Sequence, residues 1–201
     1  MTIIIVVITA IASIACFSNQ ELLSRWIFNP YKVHHQKQWY RFITSGFIHH
    51  DVMHLAVNML VFFSFGTAVE NYYSMVFPHH SRIYFVLLYL GALVFATTPS
   101  YSKQKNNPYY NALGASGAVA AILFAAVLFN PLGKIYIMGV IPLPGIAVAV
   151  LYVIYEYYAG KKGGDNIGHD AHLWGAAFGA GFTILLKPAI IINFIQQLTG
   201  S

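Results

Sequence analysis

The sequence predicts an all-α protein made of several membrane-crossing helices, and three observations carry that reading. Of 201 residues, 58 % are hydrophobic and only 8 % charged, whereas a soluble domain carries about 25 % charged residues. Too few polar groups remain to cover a water-exposed surface. The apolar residues also fall in long runs, not in the short amphipathic pieces of a soluble core. These runs recur between polar or Gly/Pro segments and mark six spans.

The first span covers residues 2–17. It has no basic segment before it, which argues against a cleaved signal, and no transit peptide is expected. An amphipathic connection follows over 18–48, rich in aromatic rings and carrying Arg25, Lys32, Lys37 and Arg41. Spans two and three are expected at 51–70 and 83–98. A polar loop, 99–111, leads to span four at 113–129. Proline suits a helix start and not its interior, so Pro131, Pro142 and Pro144 place span five at 144–158. That is ~15 residues, short of the ~20 that cross ordinary hydrocarbon. A loop with Gly160, Gly163 and Gly164 runs to residue 166. Span six covers 167–186, and Pro188 opens an Ile-rich tail suited to the membrane surface. The sequence shows no repeat, and residues 1–201 are expected to form one membrane domain with no second one.

The net charge of +5 is spread over connecting segments, which favours lipid headgroups over nucleic acid as the partner. Cys16 is the single cysteine, so no internal disulfide and no thiolate metal site is available.

Ionisable and polar groups inside membrane spans are costly and mark function. Here they are few: His54 and Asn58 in span two, Ser116 in span four and His172 in span six. Glu70 and Glu156 sit near span ends, where water or headgroups reach them. Alternate spans cross in the same direction. All four groups lie near the starts of even-numbered spans, so they share a depth, roughly 5–10 Å inside one face. His54 and Asn58 are four apart and share a helical face. Ser116 stands in the small-residue run 114–118, and Gly175 and Gly179 form a GxxxG face one turn after His172. Two helices packed that closely bring a hydroxyl and an imidazole within hydrogen-bond reach, as an activated serine requires.

In that arrangement His172 takes the Ser116 proton during attack on a carbonyl and returns it to the leaving amine. His54, Asn58 and the backbone N–H groups opening span four are the candidate oxyanion donors. Asp170 is two residues from His172 on another helical face, so a Ser–His dyad without an acid is expected. Taken singly, a serine in a membrane helix is usually a packing residue and a histidine is one as often as not; it is the shared depth of four such groups that favours chemistry.

At these residues the chain resembles the rhomboid family of intramembrane serine proteases. Trp39-Tyr40-Arg41-Phe42 resembles the family's Trp-Arg loop signature. Phe47-Ile48-His49 and then His54 to Asn58 resemble its HxxxN helix with an upstream histidine, and Gly66 and Glu70 fit the end of that helix. Gly114-Ala115-Ser116-Gly117 matches the GxSG motif, and Ala171-His172 through Gly175 and Gly179 matches AHxxGxxxG. The motifs run in family order over about 39–186.

The resemblance implies a six-helix rhomboid-like bundle with an amphipathic loop after the first helix. It implies a Ser116–His172 dyad, and an oxyanion hole of His54, Asn58 and the Ser116 N–H. Trp39, Arg41, His49, Glu70, Gly114, Gly117, Gly175 and Gly179 would be structural, with His169 structural or solvent-facing. No metal or other cofactor is implied. The partners would be a transmembrane protein substrate and the bilayer, with the oligomeric state open. One departure is Ala120, where many members carry an aromatic ring packed on the catalytic histidine.

The compact core suggests a bacterial inner membrane. The family topology opens the site to the outside, although on it Arg82, Lys134 and Lys187 alone face inward, against the positive-inside tendency. Span five and the loop after it are expected to act as a gate for a partly unwound substrate helix. The rival readings are a non-proteolytic relative that binds membrane clients and a haem or metal protein using His54 and His172.

Overall fold

The computed structural model describes residues 1–137, 139–164 and 167–200. Ten helices dominate it. α1 (Thr2–Ser18) is followed by three short helices, α2 (Gln20–Trp26), α3 (Pro30–Gln36) and α4 (Arg41–Thr44), and a single 3₁₀ turn. The long helices are α5 (Val52–Val76), α6 (Ser81–Gln104), α7 (Ser116–Phe129), α8 (Gly145–Lys162) and α9 (His169–Leu186), with α10 (Ala189–Thr199) at the end. An antiparallel hairpin, β1 (Lys134–Ile137) with β2 (Ile141–Pro144), joins α7 to α8. The purely helical expectation omitted this hairpin. Pro142 and Pro144 exclude helix there, but an edge strand tolerates proline.

The helices cover the apolar runs with shifted ends. α6 continues through Pro99, which the sequence reading placed in a loop. Proline removes one backbone bond, and the Thr97 and Thr98 hydroxyls bond back to the carbonyls of Leu93 and Val94. α8 has 18 residues, more than the short fifth span expected. α7 begins only at Ser116, because Gly114 has a left-handed φ of 113° that ends any helix arriving from residue 113.

By length and composition alone, two helices among the described residues suffice to cross a membrane, α5 and α6. A third counts if α9 and α10, bent by 110° at their junction, are taken as one. The six-span expectation therefore exceeds what this criterion supports. α1 and α7 are apolar but shorter.

α7 is the core of the bundle: eleven of its fourteen residues are buried. α9 lies against it because both carry small residues at the crossing. A Cβ on Gly175 would stand 2.0 Å from the Gly117 carbonyl oxygen, and one on Gly179 equally close to that of Ala121. The amphipathic connection is clamped to the segment before α7. Asn29 caps α3 through Lys32 N and also donates to the Pro108 and Tyr110 carbonyls, while Phe28 and Ala112 exchange backbone bonds. Buried Arg41 donates to the carbonyls of Ser24 and Ile27 and to Gln38 Oε1, so it ties α2 to α4. Trp39 is half exposed and stacks on Phe42. The Glu70 carboxylate accepts from Thr2 N at 2.7 Å and pairs with the Met1 amine, joining α5 to the start of α1.

Candidate active site

Ser116 opens α7 after the left-handed Gly114 and the N-cap Ala115, so its side chain emerges where the first N–H groups of the helix have no intrahelical acceptor. His172 lies in the first turn of α9. The close crossing of the two helices brings His172 Nε2 to 2.7 Å from Ser116 Oγ, hydrogen-bond distance for a nucleophile and its base. Both residues are half-buried.

His54 and Asn58 lie one turn apart on α5, and it is His54 that reaches the same region. A Cβ on Gly114 would touch the His54 ring at 2.9 Å, so only glycine lets that imidazole reach the serine loop. The Asn58 amide donates to the His54 carbonyl one turn back. His49, ahead of α5, is buried. Its Nε2 accepts from Ala115 N at 3.5 Å and its Nδ1 lies 3.0 Å from Ser13 Oγ, which in turn donates to the Phe47 carbonyl. It thereby braces the residue before Ser116 against α1. The neutral imidazole is the form that makes these bonds. Burial lowers its pKa to about 4, with His54 adding to the effect and Asp51 opposing it.

The sequence predicts a dyad without an acid; a carboxylate does stand near His172, although no hydrogen bond joins the two. Glu156 of α8 is buried among α9 side chains, not at a wetted span end. Its Oε1 lies 3.0 Å from His172 Nδ1 and its Oε2 lies 2.6 Å from His169 Nδ1. The first contact is at ion-pair distance, with the His172 N–H axis turned off the line to the oxygen. The second is a buried hydrogen bond, so His169 does not face solvent. Sequence reasoning missed Glu156 because it set the residue by distance from the span end. The available signal was its spacing: Ala149, Tyr152 and Glu156 recur on one stripe of α8. Asp170 instead pairs with Lys103 on the surface.

Glu156, His169 and His172 each offer one donor atom, all within 4.8 Å of one another. That set could hold a metal. However, the contacts of 2.6 and 3.0 Å are shorter than the ~3.3 Å between ligands of a tetrahedral zinc, so they fit direct carboxylate–imidazole contact better. The aromatic ring missing at Ala120 comes from α8: Tyr152 lies 6.3 Å from the His172 ring, centre to centre, and also contacts Phe124.

A helical membrane protein with a serine and a histidine in contact at the starts of two close-packed helices is the class that fold and site define. The chain belongs to the rhomboid family: the rhomboid domain matches residues 36–189. It is 30 % identical over 149 residues to RHOMBOID-like protein 12, mitochondrial, of Arabidopsis thaliana, covering 69 % of this chain and 44 % of that protein. It is 32 % identical over 143 residues to the presenilin-associated rhomboid-like protein, mitochondrial, of Rattus norvegicus, covering 68 % and 35 %. It is 31 % identical over 145 residues to the rhomboid protease GluP of Bacillus subtilis, covering 72 % and 26 %. The chain thus spans under half the length of these relatives. Mitochondrial and bacterial proteins both appear among them, so they do not support the bacterial inner membrane that the compact core suggested.

Proposed function

We propose that the chain is a serine endopeptidase that cleaves peptide bonds in or near transmembrane helices. The observation carrying this reading is the 2.7 Å contact between Ser116 Oγ and His172 Nε2. His172 removes the hydroxyl proton as Ser116 attacks the scissile carbonyl, and returns it to the leaving amine. His54, Asn58 and the N–H groups opening α7 stabilise the oxyanion, helped by the positive end of the helix. In the proposed topology α1, α5, α6, α7, α8 and α9 cross the bilayer, and the site opens outward through a hydrated cavity.

Substrate entry is assigned to lateral movement of α8, because only Gly145, Ala149 and Glu156 of that helix are buried. Asp165 and Asn166, which end the loop first expected to share this role, lie outside the described residues. Cross-linking α8 to α5 should block cleavage of a membrane substrate. Fluorophosphonate labelling tests the nucleophile: the native protein should label and Ser116→Ala should not. Equal labelling of the two proteins sinks the assignment.

A further inference from the structure

We infer that Glu156 is a positioning residue for His172, completing a Ser116–His172–Glu156 array, so that catalytic alignment depends on α8 being seated against α9; this rests on the protease reading above.

Four observations support it. One carboxylate faces two imidazoles, with Oε1 on His172 and Oε2 on His169. The Glu156 and His169 side chains are only 5 % and 4 % exposed, and in such surroundings a carboxylate acts on a neighbouring dipole with little screening. The opposite nitrogen of the His172 ring is the one on Ser116. If Nε2 is to accept the serine proton, Nδ1 must carry the hydrogen, and an acceptor at Nδ1 selects that tautomer. Finally, Tyr152, one turn earlier on α8, flanks the same ring. The off-axis approach of Nδ1 suits a resting enzyme, since catalytic hydrogen bonds often align only once substrate is bound.

The consequence for mechanism follows from which helix carries the acid. During attack the proton moves from Ser116 Oγ to His172 Nε2, and Glu156 stays ionised, stabilising the imidazolium until the proton passes to the leaving amine. Because Glu156 and Tyr152 both ride on α8, swinging this helix out to admit substrate withdraws the groups that fix His172. Reseating α8 restores them. Admission and chemistry then cannot coincide, which keeps an open site from hydrolysing indiscriminately.

A purely structural role, with Glu156 pinning α8 to His169, predicts something different. The test uses protein labelled with ¹⁵N-histidine and reconstituted in nanodiscs, with fluorophosphonate labelling and substrate cleavage measured in parallel. In the native protein, His172 should be the Nδ1–H tautomer. Glu156→Gln presents one acceptor and one donor to two imidazoles. It should disturb that tautomer and lower kcat by about 10²- to 10⁴-fold, with KM within about twofold because Glu156 does not touch substrate. Glu156→Asp keeps the charge and should recover at least about tenfold.

A folded Glu156→Gln protein with native kcat and an unchanged His172 tautomer overturns the inference. So does an Nε2–H tautomer in the native protein, which needs no variant and decides the matter if the substitutions fail to fold. If the native protein neither labels nor cleaves, yet the tautomer follows Glu156, the protease reading fails and the positioning role stands.

Discussion

Replacing Gly175 with alanine adds one carbon at the tightest point of the α7–α9 crossing. That carbon would stand 2.0 Å from the Gly117 carbonyl oxygen and 2.7 Å from the carbonyl carbon. Cβ atoms do not approach backbone oxygens closer than about 3.0 Å, so the helices must part by about 1 Å. Neither side can yield locally, because both contacts are with main chain. Ser116 precedes Gly117 by one residue and His172 precedes Gly175 by one turn, so the separation falls on the Ser116–His172 contact. Lengthened by about 1 Å from 2.7 Å, the Oγ–Nε2 pair leaves hydrogen-bond range. The overpacking costs about 1–3 kcal/mol of stability. Fluorophosphonate labelling should fall at least about tenfold, because proton removal by a positioned base contributes at least ~10²-fold, while thermal unfolding in detergent still shows a folded protein. Native labelling by a folded Gly175→Ala protein would refute the view that this crossing sets the dyad distance.

Two further predictions follow from the groups around the dyad. Tyr152→Phe should keep near-native labelling, and Tyr152→Ala should lose about tenfold by leaving a gap beside the His172 ring; equal rates for the two variants would remove Tyr152 from the histidine's support. His49 has a pKa lowered by burial from 6.5 to about 4, so the unfolded chain takes up its proton first as pH falls. The stability it contributes is complete above about pH 6.5 and is lost as pH drops towards 4, on the order of 3 kcal/mol in all. Unfolding midpoints across that window should fall in the native protein and flatten in His49→Gln.

Much of the site was legible because membrane spans permit few polar residues. Ser116, His172, His54 and Asn58 stood out against their apolar neighbours, and alternating direction placed them at one depth. The glycines at 114, 117, 175 and 179 could be assigned to close approach because small residues are what permit it. Helix ends were less legible. α6 runs through Pro99 because one lost backbone bond does not stop a helix whose threonines bond back to its carbonyls. α7 starts late because the φ of Gly114 is a matter of conformation that composition does not reveal.

The sequence by itself determined the membrane class, the family and which polar groups stand out among apolar neighbours. Tertiary structure alone decided what surrounds His172. Glu156 and Tyr152 lie on a helix whose own pattern is mostly exposed, and Glu156 stands sixteen positions before His172 in the chain. Residues four apart on one helix are joined by its geometry, whereas the rotation of α8 about its axis depends on how it packs against α9. That rotation turned a glutamate expected at the membrane edge inward to meet two imidazoles.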